Sequence, residues 1–307
     1  MPGHFLKGQK ISRLGLGTVQ FGMDYGYTKK MSQSQVDEIL NACRRAGVNF
    51  LDTARDYGDS EARIGSYLKR HPGGEWVVAT KIKHIPENIC SDENALNRHI
   101  TISVRTSTKL LGRPIQILQL HNTEDSVVKN PYLWKVIAKL KDQGLFQKFG
   151  ASFYDPGTAR SVLQAHYDLI RFIQAPFNIF DQRFAEMFAW LSKKRIAFIS
   201  RSTFLKGVLG ASEDLIPDEL KSLRPFRNHL QTLAESAGLT MSGSALLFAY
   251  RSKGIASSLI GVKSREELEL NLKTLGQTAA FKRIQKKLVR MKRPDSFLTD
   301  PRKWKML

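Results

Sequence analysis

The sequence predicts a (β/α)8 TIM barrel, an α/β fold of eight parallel strands alternating with helices. Three observations point there. Eight short apolar runs alternate with amphipathic stretches of helical length. No Pro-, Gly- or Ser-rich linker and no low-complexity tract divides the 307 residues, so 1–307 reads as one barrel domain. Polar residues with chemical capacity fall at the ends of several runs, where a barrel of this kind gathers its functional groups. A doubly wound open sheet is the structural alternative.

Strands are expected at 14–18, 48–52, 76–81, 115–121, 148–152, 170–175, 196–201 and 257–261. Helices are expected at 33–46, 60–70, 92–111, 131–143, 156–166, 183–194, in one long stretch at 227–252, and at 265–275. The first helix shows the reasoning. Val36, Ile39, Leu40 and Cys43 recur at helical spacing, and Ser32 or Ser34 can cap its start. Gly47 ends it before the strand VNFLD. The glycines of GLGTVQFG do not form a dinucleotide fingerprint, because Gln20 stands where G-x-G-x-x-G needs its last glycine. They are expected to allow a turn or a close backbone approach.

Composition narrows the setting. Apolar residues make up 42% of the chain, enough to fill a sizeable core. No window approaches 18 consecutive apolar residues, so no membrane span is expected. The first residues, MPGHFLKGQKISRLG, hold no apolar stretch of secretory length. Cys43 and Cys90 give neither a disulfide framework nor metal-ligand spacing, so no metal is expected and a reducing cytoplasm is the natural location. Lys and Arg exceed Asp and Glu by 48 to 28, a net charge of +20. Such a field attracts anions, although a solvated basic surface accounts for it equally well.

Four residues then stand out. Asp52 and Tyr57 lie in FLDTARDYGDSE, Lys81 ends WVVATK, and His121 ends ILQLH. They lie at, or just past, the ends of three expected strands. Singly, each has an ordinary structural explanation; together they suit carbonyl reduction. A phenol with a pKa of about 10 is a weak acid at neutral pH, and a nearby ammonium favours its ionised form. Lys81 can play that part for Tyr57, with Asp52 fixing Lys81 and His121 orienting the substrate oxygen.

These residues resemble the catalytic tetrad of the aldo-keto reductases. LGLGTVQFG, GVNFLDTARDYGDSE, ATK, LQLHN, GASFYDP, IQAPFNIFD, STFLKGVL and SLIGVKSREELELNL follow in family order over nearly the whole chain. Some phrases also resemble a bacterial branch associated with surface-polysaccharide genes. The resemblance implies hydride transfer between a nicotinamide cofactor and an aldehyde or ketone, a sugar-derived carbonyl among the candidates. Tyr57 is then the general acid, Lys81 its activator, Asp52 the partner of Lys81, and His121 the orienting histidine. It implies cofactor contacts from Thr18, Asp52, Ser152, Gln174, Arg201, Ser202, Leu205, Gly261, Lys263, Ser264, Arg265 and Asn271. Lys263, Ser264 and Arg265 cluster where a 2′-phosphate would sit, so NADP(H) is expected over NAD(H).

Four positions depart from the family pattern. Phe153 replaces the usual Asn after Ser152, Arg201 replaces a Tyr that stacks on nicotinamide, Glu267 replaces an Arg or Gln, and Leu270 replaces a Glu. They motivate an alternative, a nucleotide-binding regulatory protein with little turnover. Asp24, Tyr25 and Tyr27 are candidates to line a substrate pocket, or to pack.

The segment 281–307 is the most basic part of the chain. Phe281, Ile284, Leu288 and Met291 recur at helical spacing, so a basic helix docked on the barrel by that stripe is expected. Its charge could steer an anionic carbonyl substrate. A membrane-surface helix is a further possibility, and no nucleic-acid motif accompanies the charge.

Overall fold

The computed structural model describes residues 5–6, 9–25, 29–212 and 215–304. Tyr27 and the last residues of the basic segment lie outside them. Eight strands form the barrel: β1 (Leu14–Gly17), β2 (Phe50–Asp52), β3 (Val77–Lys81), β4 (Ile115–Leu120), β5 (Phe146–Ser152), β6 (Ile170–Pro176), β7 (Ala197–Arg201) and β8 (Ile255–Ile260). Each pairs in parallel with the next, and β8 closes the ring on β1. A short antiparallel strand pair, Phe5–Leu6 with Gln9–Lys10, precedes the barrel.

Alternation along the strands explains the two-sided core. Phe50, Val77, Ala79, Ile117, Phe172 and Ile199 belong to one buried cluster inside the ring. Their neighbours Leu51, Val78, Leu118, Ile173 and Phe198 belong to the clusters formed with the helices. A strand covered on both faces reads as a near-continuous apolar run, as these do.

The principal helices are α1 (Gln33–Arg45), α2 (Ser60–Arg70), α3 (Glu93–Leu111), α4 (Pro131–Asp142), α5 (Pro156–His166), α6 (Phe188–Lys193), α7 (Arg224–Ser236), α8 (Met241–Arg251), α9 (Arg265–Thr274) and α10 (Thr278–Arg290). Ser32 and Gln35 make a reciprocal capping box at α1, and Asp92, Asn130 and Asp155 cap α3, α4 and α5. The single long helix expected at 227–252 is instead two. Gly238 takes a left-handed φ of +69° after α7, and the Thr240 hydroxyl accepts from Gly243 N to start α8. The stretch expected at 183–194 opens as a 3-10 turn, Arg183–Met187, before α6.

α10 docks through Phe281, Ile284 and Leu288, with Met291 buried just beyond. The chain after it returns to the barrel rim, where Asp300, Pro301 and Trp304 are buried. Among the described residues, no helix is long and apolar enough to cross a membrane.

Register places the polar residues. Asp52 lies opposite Gly17 and Ala79, Lys81 opposite Gln119, Ser152 opposite Gln174, and Pro176 opposite Arg201. The C-terminal strand ends therefore form one rim.

Candidate functional site

Asp52 and Lys81 form a buried ion pair at that rim, Nζ to Oδ2 2.8 Å, with both side chains nearly inaccessible. Lys81 also donates to the Thr53 carbonyl at 2.9 Å. The other Asp52 oxygen accepts from two buried amides, Gln174 Nε2 at 2.7 Å and Gln119 Nε2 at 3.2 Å. A buried carboxylate needs such donors to remain charged. Burial pulls the Lys81 pKa down, and the charge and hydrogen bond of Asp52 oppose it; the net direction is down.

Tyr57 sits in the turn after β2. Its N–H donates to the Ala54 carbonyl at 3.1 Å, and its own carbonyl accepts from Ser60 N at 3.0 Å. Two glycines allow that turn to press on the loop after β1. Gly58 has φ +51°, and a Cβ added to Gly22 would lie 1.7 Å from the Tyr57 carbonyl oxygen. The Lys81 ammonium is 5.0 Å from the Tyr57 ring centroid. Burial, and then the Asp52 charge, push the phenol pKa well above its usual value, while Arg201 is the nearby cation that pulls it down. The phenol is thus held as a neutral acid.

His121 meets the Tyr57 ring edge-on, with centroids 5.9 Å apart. Its Nδ1 lies 2.9 Å from Asp56 Oδ2, and that oxygen also accepts from His84 N. Burial lowers the histidine pKa; the Asp56 hydrogen bond raises it and the Lys81 charge lowers it, for a net downward shift.

These groups open into one cleft of about 800 Å³, within the range of small-molecule and cofactor sites. Of the expected residues, Thr18, Asp52, Tyr57, Lys81, His121, Ser152, Gln174, Arg201, Ser202, Gly261, Lys263 and Asn271 line it. Three do not. Leu205 is fully buried in the core, Ser264 caps α9 by accepting from Glu267 N at 3.3 Å, and Arg265 pairs with Glu269 at 3.0 Å. Of the departures from the family pattern, Phe153 is fully buried, while Arg201, Glu267 and Leu270 line the cleft. Tyr25 lines it too, its pKa pushed up to about 12 chiefly by burial.

Sequence reasoning missed Asp56, Gln119, Tyr154 and Arg302. Gln119 was within reach, since it precedes His121 by two residues and two-residue periodicity aims both at the same face. Asp56 adjoins Tyr57, but nothing in the sequence pairs it with His121. Arg302 and Tyr154 meet only through the fold of the C-terminal segment.

The cleft suits a dinucleotide. Two buried polar atoms on its wall, Asn271 Nδ2 and Gln20 Oε1, have no hydrogen-bond partner among the described residues. Such orphans are costly unless a ligand satisfies them. Gln20 lies against Gly261, and Lys263, Leu270 and Asn271 line the same cleft.

The sequence model of the Aldo/keto reductase family matches residues 13–288. A D-threo-aldose 1-dehydrogenase from Pseudomonas sp is 24% identical over 88% of this chain and 91% of its own length. An NADH-specific methylglyoxal reductase from Escherichia coli (strain K12) is 31% identical over 56% of this chain and 57% of its own. Among solved structures, the holo form of an aldo-keto reductase from Bacillus halodurans superposes with a TM-score of 0.73 at 20% identity, covering 94% of this chain and 95% of that one.

Proposed function

The chain belongs to the aldo/keto reductase family and is an NAD(P)H-dependent oxidoreductase, and from that premise we propose that it transfers a hydride between NADPH and an aldehyde or ketone, with Tyr57 as general acid. The observation that carries this reading is the convergence of the Asp52–Lys81 pair, Tyr57 and His121 on one cleft at the barrel rim. A sugar-derived carbonyl is the substrate class suggested by the aldose dehydrogenase among its relatives.

When bound, the nicotinamide supplies or accepts the hydride. The protein's own residues handle the proton and the orientation. Tyr57, kept protonated by burial and by Asp52, donates to the carbonyl oxygen as negative charge builds there. An alkoxide is a far stronger base than a phenolate, so the transfer runs downhill even from a phenol of raised pKa. Lys81, locked by Asp52 and the Thr53 carbonyl, places a positive charge beside the phenolate that forms. His121 faces the same oxygen with Nε2, the nitrogen that Asp56 leaves free: neutral, it accepts from the O–H of the alcohol, and once protonated it donates to the carbonyl oxygen. Ser152 and Gln174 would hold the nicotinamide carboxamide, and Gly261, Lys263 and Asn271 the adenosine end.

Lys263 on the cleft wall and the excess of basic residues support NADPH over NADH; the Glu267 carboxylate at the same end opposes it. Free, buried Cys43 and Cys90 agree with a cytoplasmic location. Full burial of Phe153, where the family's Asn would reach the carboxamide, favours the rival reading of a nucleotide binder with little turnover.

One experiment separates the two. NADPH and NADH are titrated by tryptophan quenching, and the bound protein is then tested on a panel of aldehydes and ketones. The proposal expects saturable binding that favours NADPH, with turnover that Tyr57→Phe lowers by about 10²–10⁴-fold without weakening cofactor binding. Tight binding without turnover on any carbonyl establishes the rival.

A further inference from the structure

The wall of the cleft beside Tyr57 carries a stack of three side chains. The Arg201 guanidinium carbon lies 3.9 Å from the centroid of the Tyr154 ring, and that of Arg302 lies 3.5 Å from the same centroid. Both arginines and the tyrosine line the cleft. They come from three separate places: Arg201 ends β7, Tyr154 follows β5, and Arg302 sits on the returning C-terminal segment. A guanidinium lying over a ring is held by its face, which leaves donors at its edge.

The two cations differ in compensation. The buried carboxylate of Asp300 accepts from Arg302 Nε at 2.9 Å and Nη2 at 2.6 Å, leaving Nη1. Arg201 gives Nη2 to the Phe153 carbonyl at 3.2 Å and, among the described residues, has no acid in an ion pair. Acids on the same wall are engaged elsewhere. Asp155 caps α5 through Thr158 N, and Glu124 accepts from Asn122 Nδ2. A part-buried, uncompensated cation beside a reaction centre is costly to maintain without an anion to receive it.

We propose that Arg201 and Arg302, fixed on Tyr154, form a subsite for a carboxylate or phosphate borne by the carbonyl substrate. This rests on the reading that the cleft binds a carbonyl compound, and deepens it by naming the substrate class. The same chemistry could come from a phosphate of the cofactor, so the test must separate the two sources.

The probes are 4-carboxybenzaldehyde and its neutral counterpart 4-carbamoylbenzaldehyde. Each is titrated by calorimetry into protein saturated with NADP⁺, a complex in which the aldehyde has no hydride to receive, so that binding is read apart from turnover. Wild-type protein is expected to bind the acid about ten-fold or more tightly than the amide, as a charge-assisted bond to guanidinium implies. Arg302→Gln, with Arg201 still in place, is expected to lower that ratio severalfold, and Arg302→Lys, which keeps the charge, to lower it less. NADP⁺ affinity is measured for each variant. A ratio near one in wild type, equal ratios in wild type and Arg302→Gln, or equal loss in both variants overturns the proposal. A lowered ratio accompanied by an equal loss of NADP⁺ affinity assigns the arginines to the cofactor and also overturns it. Absence of turnover with the preference intact would sink the reductase reading and leave the subsite standing.

Discussion

Asp56 Oδ2 lies 2.9 Å from His121 Nδ1, and a carboxylate can only accept, so that nitrogen carries the proton. Asp56 is held ionised: burial raises its pKa, but the bonds from His121 and the His84 N–H outweigh it. Neutral His121 therefore presents a lone pair at Nε2. It can accept from the O–H of an alcohol but cannot donate to a carbonyl oxygen until it is protonated.

A pH dependence of binding follows. Burial and the Lys81 charge lower the His121 pKa, against Asp56 and Asp52, so the imidazolium gains population only as pH falls below the ordinary histidine value of about 6.5. Through that descent an alcohol is expected to bind the NADP⁺ complex more weakly and a carbonyl more tightly. Asp56→Asn removes a charge that favours the imidazolium, so the transition moves to lower pH, and turnover drops about ten-fold through loss of a charged hydrogen bond. Alcohol affinity that is flat with pH, or a transition unmoved in Asp56→Asn, would refute this account.

The Asp52–Lys81 pair yields a stability prediction. Removing one partner of a buried ion pair leaves an uncompensated charge and costs about 3–5 kcal/mol. Asp52→Asn and Lys81→Met are each expected to fall in that range by denaturant unfolding. The double variant should be less damaged than the two losses added together, with a coupling of at least about 1 kcal/mol. Additive losses would show that Gln119, Gln174 and Thr53 satisfy each charge without the other.

Gly22 and Gly47 should respond differently to alanine. A Cβ on Gly22 meets the Tyr57 carbonyl, Ser60 N and Asp59 N at 1.7, 2.4 and 2.8 Å, all backbone, so the turn that carries Tyr57 must move. Misplacement of about 1 Å can cost about 10²-fold in rate, so Gly22→Ala is expected to lower kcat at least about ten-fold. Gly47 has φ +72° and open space around it. Its alanine variant should lose about 1–2 kcal/mol of stability from backbone strain and keep its kcat. Equal kcat in the two variants would detach the glycine contact from Tyr57.

That contrast marks what could be read from the chain. Both glycines were legible as turn or cap residues, because local backbone geometry leaves a local signature. Only the fold shows that Gly22 touches the Tyr57 turn, 35 positions on. The barrel was legible for the same reason as its core: strands buried on two faces write continuous apolar runs, and Asp52, Lys81 and His121 punctuate them. The helix expected at 227–252 failed where Gly238 and Thr240, a C-cap followed by an N-cap, sit inside an otherwise periodic stretch. Arg302 was legible as charge alone. Its place against Tyr154 depends on the whole C-terminal segment docking through Phe281, Ile284 and Leu288.

Cofactor choice turns on Glu267. Its Oε2 accepts from Lys263 N at 2.6 Å, so its carboxylate is fixed on the cleft wall beside Lys263, the end proposed for the adenosine. Arg265, expected from the sequence to meet a 2′-phosphate, pairs with Glu269 and does not line the cleft. Lys263 is then the cation facing an added phosphate there, against one carboxylate. A dianion beside a carboxylate is repelled, and the cost rises with exclusion of water. Glu267→Gln keeps an acceptor for Lys263 N and removes the charge. It is expected to tighten NADPH binding severalfold and leave NADH unchanged, while Lys263→Ala weakens NADPH alone. Both effects shrink with added salt, since a shielded phosphate feels either charge less. If Glu267→Gln instead weakens NADH selectively, the carboxylate is a ribose acceptor, and the preference for NADPH is reversed.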